Sequence, residues 1–185
     1  MQMTQAPGFG CTLGSGFTIS RPLARNFSIK GLWASRSFCM RSAMFGTPAA
    51  LALAGGCAGR TAPKLLVVDI SRQVMWACHR DTEVFATRVT TGAYQVGQAT
   101  PTGTWRIYAK QTDTHLIGPG WDDFVHYWMP FWGAYGFHDA TWQTFHFGSS
   151  RYAEDGSHGC VHVPLGVMER LFAWATVGTE VHIEA

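Results

Sequence analysis

A mostly β domain with one main helix is the fold class this sequence predicts, and three observations predict it. Short runs rich in Val, Ile, Phe, Trp and Thr recur through residues 64–138 and again at the C-terminus. Gly and Pro mark the spaces between those runs, as connections between strands require. Only residues 164–176 repeat apolar side chains at helical spacing.

Taken in order, residues 64–70 and 74–79 are β-rich runs, and Ser71-Arg72-Gln73 between them reads as a hairpin connection. Residues 84–90 and 104–110 are two more strands, flanking a loop punctuated by Gly92, Gly97, Pro101 and Gly103. Residues 127–131 and 134–138 continue the strand pattern, and residues 143–156 read as a loop. The helix then starts at Pro164, whose fixed φ and missing N–H suit a first turn. Val167, Met168, Leu171 and Ala175 share one face of it, and Gly178 follows as a stop. Residues 179–184 close as a strand, and no repeat, heptad or low-complexity segment occurs.

Charge divides the chain. All 12 acidic residues lie at or after Asp69, whereas residues 1–57 hold only basic ones: Arg21, Arg25, Lys30, Arg36 and Arg41. The formal charge of +2 therefore sums an N-terminal segment with five basic and no acidic residues and an acidic remainder. From residue 58 onward nine Lys and Arg face 12 Asp and Glu, about −3, which gives no reason to expect nucleic acid or an anionic membrane surface as partner. Met40-Arg41, the mostly apolar run 42–54 and Gly55-Gly56-Cys57 follow the order of a secretory signal, and the run is too short to span a bilayer. Residues 1–57 are thus expected to be a leader, an overlong start followed by a signal peptide, and residues 58–185 one domain with a single core. The small residues before Cys57 resemble a bacterial lipoprotein cleavage box, so a lipidated Cys57 is an expected membrane anchor. Cys78 and Cys160 then remain, both expected as free thiols, with Cys78 packed on a strand.

The chemistry concentrates in Ser157-His158-Gly159-Cys160-Val161-His162 and the upstream Gly136-Phe137-His138-Asp139-Ala140. A cysteine attacks a carbonyl carbon as thiolate, and an ordinary thiol of pKa about 8.5 is mostly protonated near neutrality, so a histidine must take its proton. Gly159 lets backbone amides approach a developing oxyanion without a side chain in the way. Two bland readings stand beside this one. His158, Cys160 and His162 alternate and would face one side of a strand, which could make a zinc site with His138 or His146, although no Cys-x-x-Cys occurs. A buried, inert thiol is the other.

Ser-His-Gly-Cys after a Gly-aromatic-His element resembles the signature of the L,D-transpeptidases, the YkuD-domain proteins. Three further segments carry the resemblance: Thr90-Thr91-Gly92 with Thr100-Pro101-Thr102-Gly103-Thr104-Trp105; Tyr127-Trp128-Met129-Pro130-Phe131 with His138-Asp139-Ala140-Thr141-Trp142; and Val177-Gly178-Thr179-Glu180-Val181. The resemblance spans residues 64–184 and implies a β-sandwich-like fold with the helix after the cysteine. By that resemblance Cys160 is the nucleophile and His138 its base, oriented by the Asp139 carbonyl. The Gly159 and Cys160 amides form the oxyanion hole, and Ser157 and His158 shape the site. Tyr127 and Trp128 are expected to touch substrate. His162 stands where the family carries arginine or asparagine, and a neutral imidazole replaces only the asparagine's hydrogen bond. The implied reaction joins peptidoglycan stem peptides in 3→3 cross-links through a Cys160 thioester, releasing D-alanine, outside the bacterial cytoplasm and without a cofactor or metal. Carbapenem β-lactams are the implied inhibitors. Water as acceptor would make an L,D-carboxypeptidase, and a protein amine would make a wall-anchoring transferase. A catalytically inert binding module or zinc-stabilised domain is the non-enzymatic alternative.

Overall fold

A computed structural model of the chain describes residues 55–185, so the expected leader lies outside the described residues up to position 54. Leu65–Asp69 (β1) reads Leu-Leu-Val-Val-Asp, apolar on both faces, and four of its five residues are buried. Such a strand needs cover on both sides. It sits at the centre of a five-stranded sheet with Val74–His79 (β2), Thr82–Arg88 (β3), Gly103–Arg106 (β4) and Glu180–Glu184 (β9), in the order β3-β2-β1-β9-β4. A second sheet of four strands has the order β5-β6-β7-β8, from Gln111–Gly118 (β5), Trp121–Trp132 (β6), Tyr135–Asp139 (β7) and Val161–Val163 (β8). Most neighbours are antiparallel, and β1 with β9 and β7 with β8 are parallel.

The two sheets and the helix Leu165–Trp174 (α2) enclose one core. Leu66, Val68, Met75 and Ala77 from the first sheet meet Met129, Phe137, Val161 and Val163 from the second and Met168 and Leu171 from α2. Pro164 is the N-cap of α2 rather than a residue of its first turn. The opposite face of β1 and β2 forms a second apolar cluster of Leu65, Val67, Val74, Trp76 and Cys78, and the turn at residues 55–58 covers it with Cys57. Gly56 lies so close to Trp76 that an added Cβ would stand 2.2 Å from its ring.

Here the structure corrects the expectation for two cysteines. Cys57 is 4% exposed and is joined to Cys78 in a disulfide. Its sulfur is therefore not free to carry a lipid thioether, and Cys78 is not a free thiol. The physical reason is the two-sided apolar strand pair β1 and β2, whose outer face the segment before residue 58 must cover. Among the described residues Cys160 is the free cysteine.

Several elements also differ from the expected ranges. The strand expected at 104–110 ends at Arg106, because Ile107 donates to Thr179 O and Tyr108 then crosses to Pro130 O, carrying the chain from one sheet to the other. Strand β5 and the first half of β6 arise in a segment not expected as strand; β5 is a polar edge strand held by its pairing to β6. Within the expected loop lies a short helix, Tyr152–Asp155 (α1). Pro130 is tolerated inside β6 because β5 stops pairing at Trp128 and makes no demand on a Pro130 amide.

Candidate active site

The segment before β8 is pinned from both ends by the Thr90–Ala93 stretch. His162 N donates to Thr90 O at 2.8 Å and Thr90 N to His162 O at 3.0 Å, while Ser157 N donates to Thr91 O at 3.0 Å and Ala93 N to Ser157 O at 2.9 Å. Gln73, buried at the β1–β2 turn, holds that stretch: its Oε1 accepts from Thr91 N at 2.9 Å. Gly92 admits no side chain, since a Cβ there would stand 2.0 Å from Gln98 O. Between the two anchors, Ser157 Oγ donates to Cys160 O and accepts from Gly159 N at 3.0 Å. The Gly159 amide is thus turned inward and committed to Ser157, which corrects its expected part in an oxyanion hole. The Cys160 amide has no hydrogen-bond partner among the described residues.

Gly159 is nonetheless required by shape. Its φ of +111° is a conformation that L side chains rarely adopt, and a Cβ would stand 2.2 Å from the Tyr135 ring. Gly159→Ala is expected to lower stability by about 1–3 kcal/mol through strain and overpacking, read as a lower Tm.

His138 on β7 and His162 on β8 are register partners on parallel strands, so their rings meet at 4.7 Å on one face. His138 is buried, flanked by Trp128 and Trp142, and its Nδ1 donates to Asp139 O at 2.8 Å. That bond fixes the tautomer and leaves Nε2 with a lone pair. The Asp139 carboxylate points the other way, as alternation along a strand requires. It accepts from the His126 and Tyr127 amides, both at 2.9 Å, and meets His126 Nδ1 at 3.0 Å.

His162 is fixed by a residue the sequence reading did not single out. Gln143 Nε2 donates to Phe145 O and Thr90 Oγ1, both at 3.0 Å, so its Oε1 is the atom that faces His162 Nδ1 at 3.1 Å. His162 therefore donates through Nδ1 and keeps Nε2 as an acceptor.

A cavity of about 270 Å³ gathers Cys160, His138, His158, His162, Ser157 and Trp128. Tyr127 is not among its walls, which corrects its expected substrate contact: neighbours on a strand face opposite ways, and with Trp128 toward His138, Tyr127 packs on Phe172 of α2 at 5.0 Å. The β5–β6 hairpin supplies a further wall. Its Trp121 stacks on His158 at 5.0 Å and 18°. Nothing local in the sequence pairs Trp121 with His158.

Burial favours the neutral forms of Cys160, His138 and His162. Burial pushes the Cys160 thiol up to about 11, offset in part by the Gly136 amide. Burial lowers His138 below its usual range, opposed by the Asp139 carbonyl and by the charges of Asp139 and Asp123. His162 is held well below, first by burial and then by His138 and His158. The thiol donates to Ala134 O at 3.7 Å.

The zinc arrangement does not form. Strand β8 begins at Val161, so His158 and Cys160 precede it and do not alternate on one strand face with His162. His146 does not line the cavity. Among the described residues no group of three or more His, Cys, Asp or Glu is placed to hold a metal ion.

Solved structures of known proteins share this fold. The crystal structure of a mutant Enterococcus faecium L,D-transpeptidase is 30% identical, with TM-score 0.62, over 67% of this chain and 50% of that one. The catalytic domain of the E. faecium enzyme acylated by ertapenem is 31% identical, with TM-score 0.58, over 65% of this chain and 96% of that one. The L,D-transpeptidase from Stackebrandtia nassauensis is 25% identical, with TM-score 0.57, over 70% of this chain and 58% of that one. The chain thus spans about half the length of the E. faecium crystal structure it matches. No curated protein sequence matches. The family model of the L,D-transpeptidase catalytic domain, YkuD, covers residues 63–183, and the chain belongs to that family.

Proposed function

We propose that this protein is a peptidoglycan L,D-transpeptidase that forms 3→3 cross-links through a Cys160 thioester. The observation that carries the reading is one cavity holding Cys160 beside a buried His138 whose Nδ1 is committed to Asp139 O, so that Nε2 is the base. On substrate entry the thiol turns from Ala134 O, and His138 Nε2 takes its proton. The sulfur attacks the carbonyl at the L-centre of the third residue of a tetrapeptide stem. The free Cys160 amide meets the oxyanion, a donor worth about 10²–10³ in rate in related chemistry. The imidazolium protonates the departing amine of D-alanine. A side-chain amine of a second stem then attacks the thioester, its proton passes to His138, and the thiol is restored. Ser157 and His158 position this turn and Trp128 walls the substrate. The site of action is the bacterial cell envelope, on the exported side of the membrane, which the Cys57–Cys78 disulfide supports.

The test is intact mass spectrometry of the full chain, oxidised so that Cys57 and Cys78 pair, with a carbapenem and in parallel with tetrapeptide muropeptides. An adduct mapped to Cys160 and a joined 3→3 dimer are expected. Trimmed tripeptide without dimer would make water the acceptor, and no adduct on the folded protein would make the domain a binding module.

A further inference from the structure

Trp105, Trp132 and Tyr135 form a row of aromatic rings beside the mouth of the Cys160 cavity, and the acyl transfer described above uses none of them. We propose that this row is a glycan-binding platform, stacking on the pyranose rings of the N-acetylhexosamine strand that carries the donor stem. This inference rests on the transferase reading and adds to it a second site of contact, outside the cavity.

The short connection between β6 and β7 sets Trp132 and Tyr135 opposite each other as register partners. Their rings stack at 5.5 Å and 13°. Trp105 comes from β4, the edge strand of the other sheet, and lies 5.9 Å from Trp132 at 30°. Trp105 and Tyr135 pack on the common core and so fix the row, whereas Trp132 is 49% exposed. An indole left half in water forgoes the stabilisation that burial would give, and a contiguous exposed apolar patch marks a binding surface. Near-parallel rings fit one chemistry in particular. A pyranose lays a flat face of C–H groups on an aromatic ring while its hydroxyl and acetamido groups stay in water, and a glycan strand repeats that face along its length.

The row is continuous with the site. Gly133 and Ala134, between Trp132 and Tyr135, wall the Cys160 cavity, and so does the exposed Tyr108, whose hydroxyl donates to Gly133 O. The Cys160 thiol donates to Ala134 O at 3.7 Å. Trp132 is two residues from Ala134, at most about 7 Å of chain. The carbonyl that Cys160 attacks belongs to the third stem residue, and three residues span at most about 11 Å of peptide. A sugar at the head of that stem therefore comes within reach of the Trp132 ring while the third residue is at the thiol.

The experiment has two arms, both on the full chain. In the first, calorimetry titrates a tetramer of N-acetylglucosamine, which carries no stem and needs no turnover. The wild type is expected to bind it with Kd on the order of 1 mM. Trp132→Ala should weaken that binding about three- to tenfold, and Trp132→Phe should keep most of it. In the second arm, acylation kcat/KM is measured for one tetrapeptide stem, free and attached to its disaccharide, and only the ratio of the two is read, so that a general loss of folded enzyme cancels. The ratio should favour the disaccharide form about tenfold in the wild type, fall to about one in Trp132→Ala and return in Trp132→Phe. No binding of the tetramer by the wild type, or an unchanged Kd or ratio in Trp132→Ala, would overturn the proposal. A concentration-dependent dimer that Trp132→Ala dissociates, without tetramer binding, would overturn it too and assign the row to a second copy of the chain. If the tetramer binds through Trp132 but no donor acylates Cys160, the transferase reading fails and the glycan site stands without it.

Discussion

His138→Ala is expected to slow acylation of Cys160 about 10³-fold at pH 7, within the 10²–10⁴ that a positioned base contributes, while the circular dichroism spectrum stays that of the folded domain. The size follows from the thiol's own acidity. With burial holding Cys160 near 11, only about one thiol in 10⁴ is ionised in bulk equilibrium at neutral pH, so the reaction depends on a local proton acceptor. The sign of the pH dependence follows as well. His138 accepts the proton only when neutral, and burial lowers its pKa below 6.5, so wild-type acylation should fall as pH drops through a value below 6.5 and stay flat above neutrality. The variant lacks that base and must use free thiolate, whose fraction rises about tenfold per pH unit until the thiol titrates. The deficit should therefore shrink to about tenfold near pH 9. A deficit of the same size at every pH from 6 to 9, or no deficit, would assign the base to another group, with His162, whose ring lies 4.7 Å from that of His138, the first to test.

How much of this was legible in the sequence depended on whether the cause of each feature was local. Strand β2 has the expected bounds because its apolar run is closed by turn residues at both ends. Strand β5 was not legible: it lies at a sheet edge, polar along most of its length, and only its ladder to β6 makes it a strand. The nucleophile turn showed as chemistry, since His, Gly and Cys in that order have few structural reasons to occur together. The direction of the Gly159 amide did not show, because it depends on how Ser157 Oγ is shared with Cys160 O. The pairings of Gln143 with His162 and of Trp121 with His158 were not legible for the same reason, each joining residues far apart along the chain. Tyr127 is the instructive error. Alternation along β6 already forbade Tyr127 and Trp128 from both facing the site, and the burial of His138 against Trp128 decides between them.

Replacing both Cys57 and Cys78 with alanine is expected to lower stability by about 3 kcal/mol, the loop-closure value for a bridge of this span, and to lower Tm by about 10 °C. The bridge spans 21 residues and ties the turn at 55–58 to β2. Without it that turn must stay on the sheet by apolar contact alone, and Leu65, Val67 and Trp76 lose a covalently held cover. The loss is confined to one face of the five-stranded sheet. The cavity is built on the other side of the common core, from the second sheet and the 157–160 turn, so carbapenem acylation per folded molecule should match the wild type below the melting range. Reduction of the wild type should reproduce the variant's lower Tm. If the oxidised wild type and the double variant melt together, the 55–58 turn contributes nothing to stability and Cys57 is returned to the unpaired role expected from its place behind the apolar leader. If they differ as expected, the chain reaches full stability only in an oxidising compartment, and only with Cys57 retained.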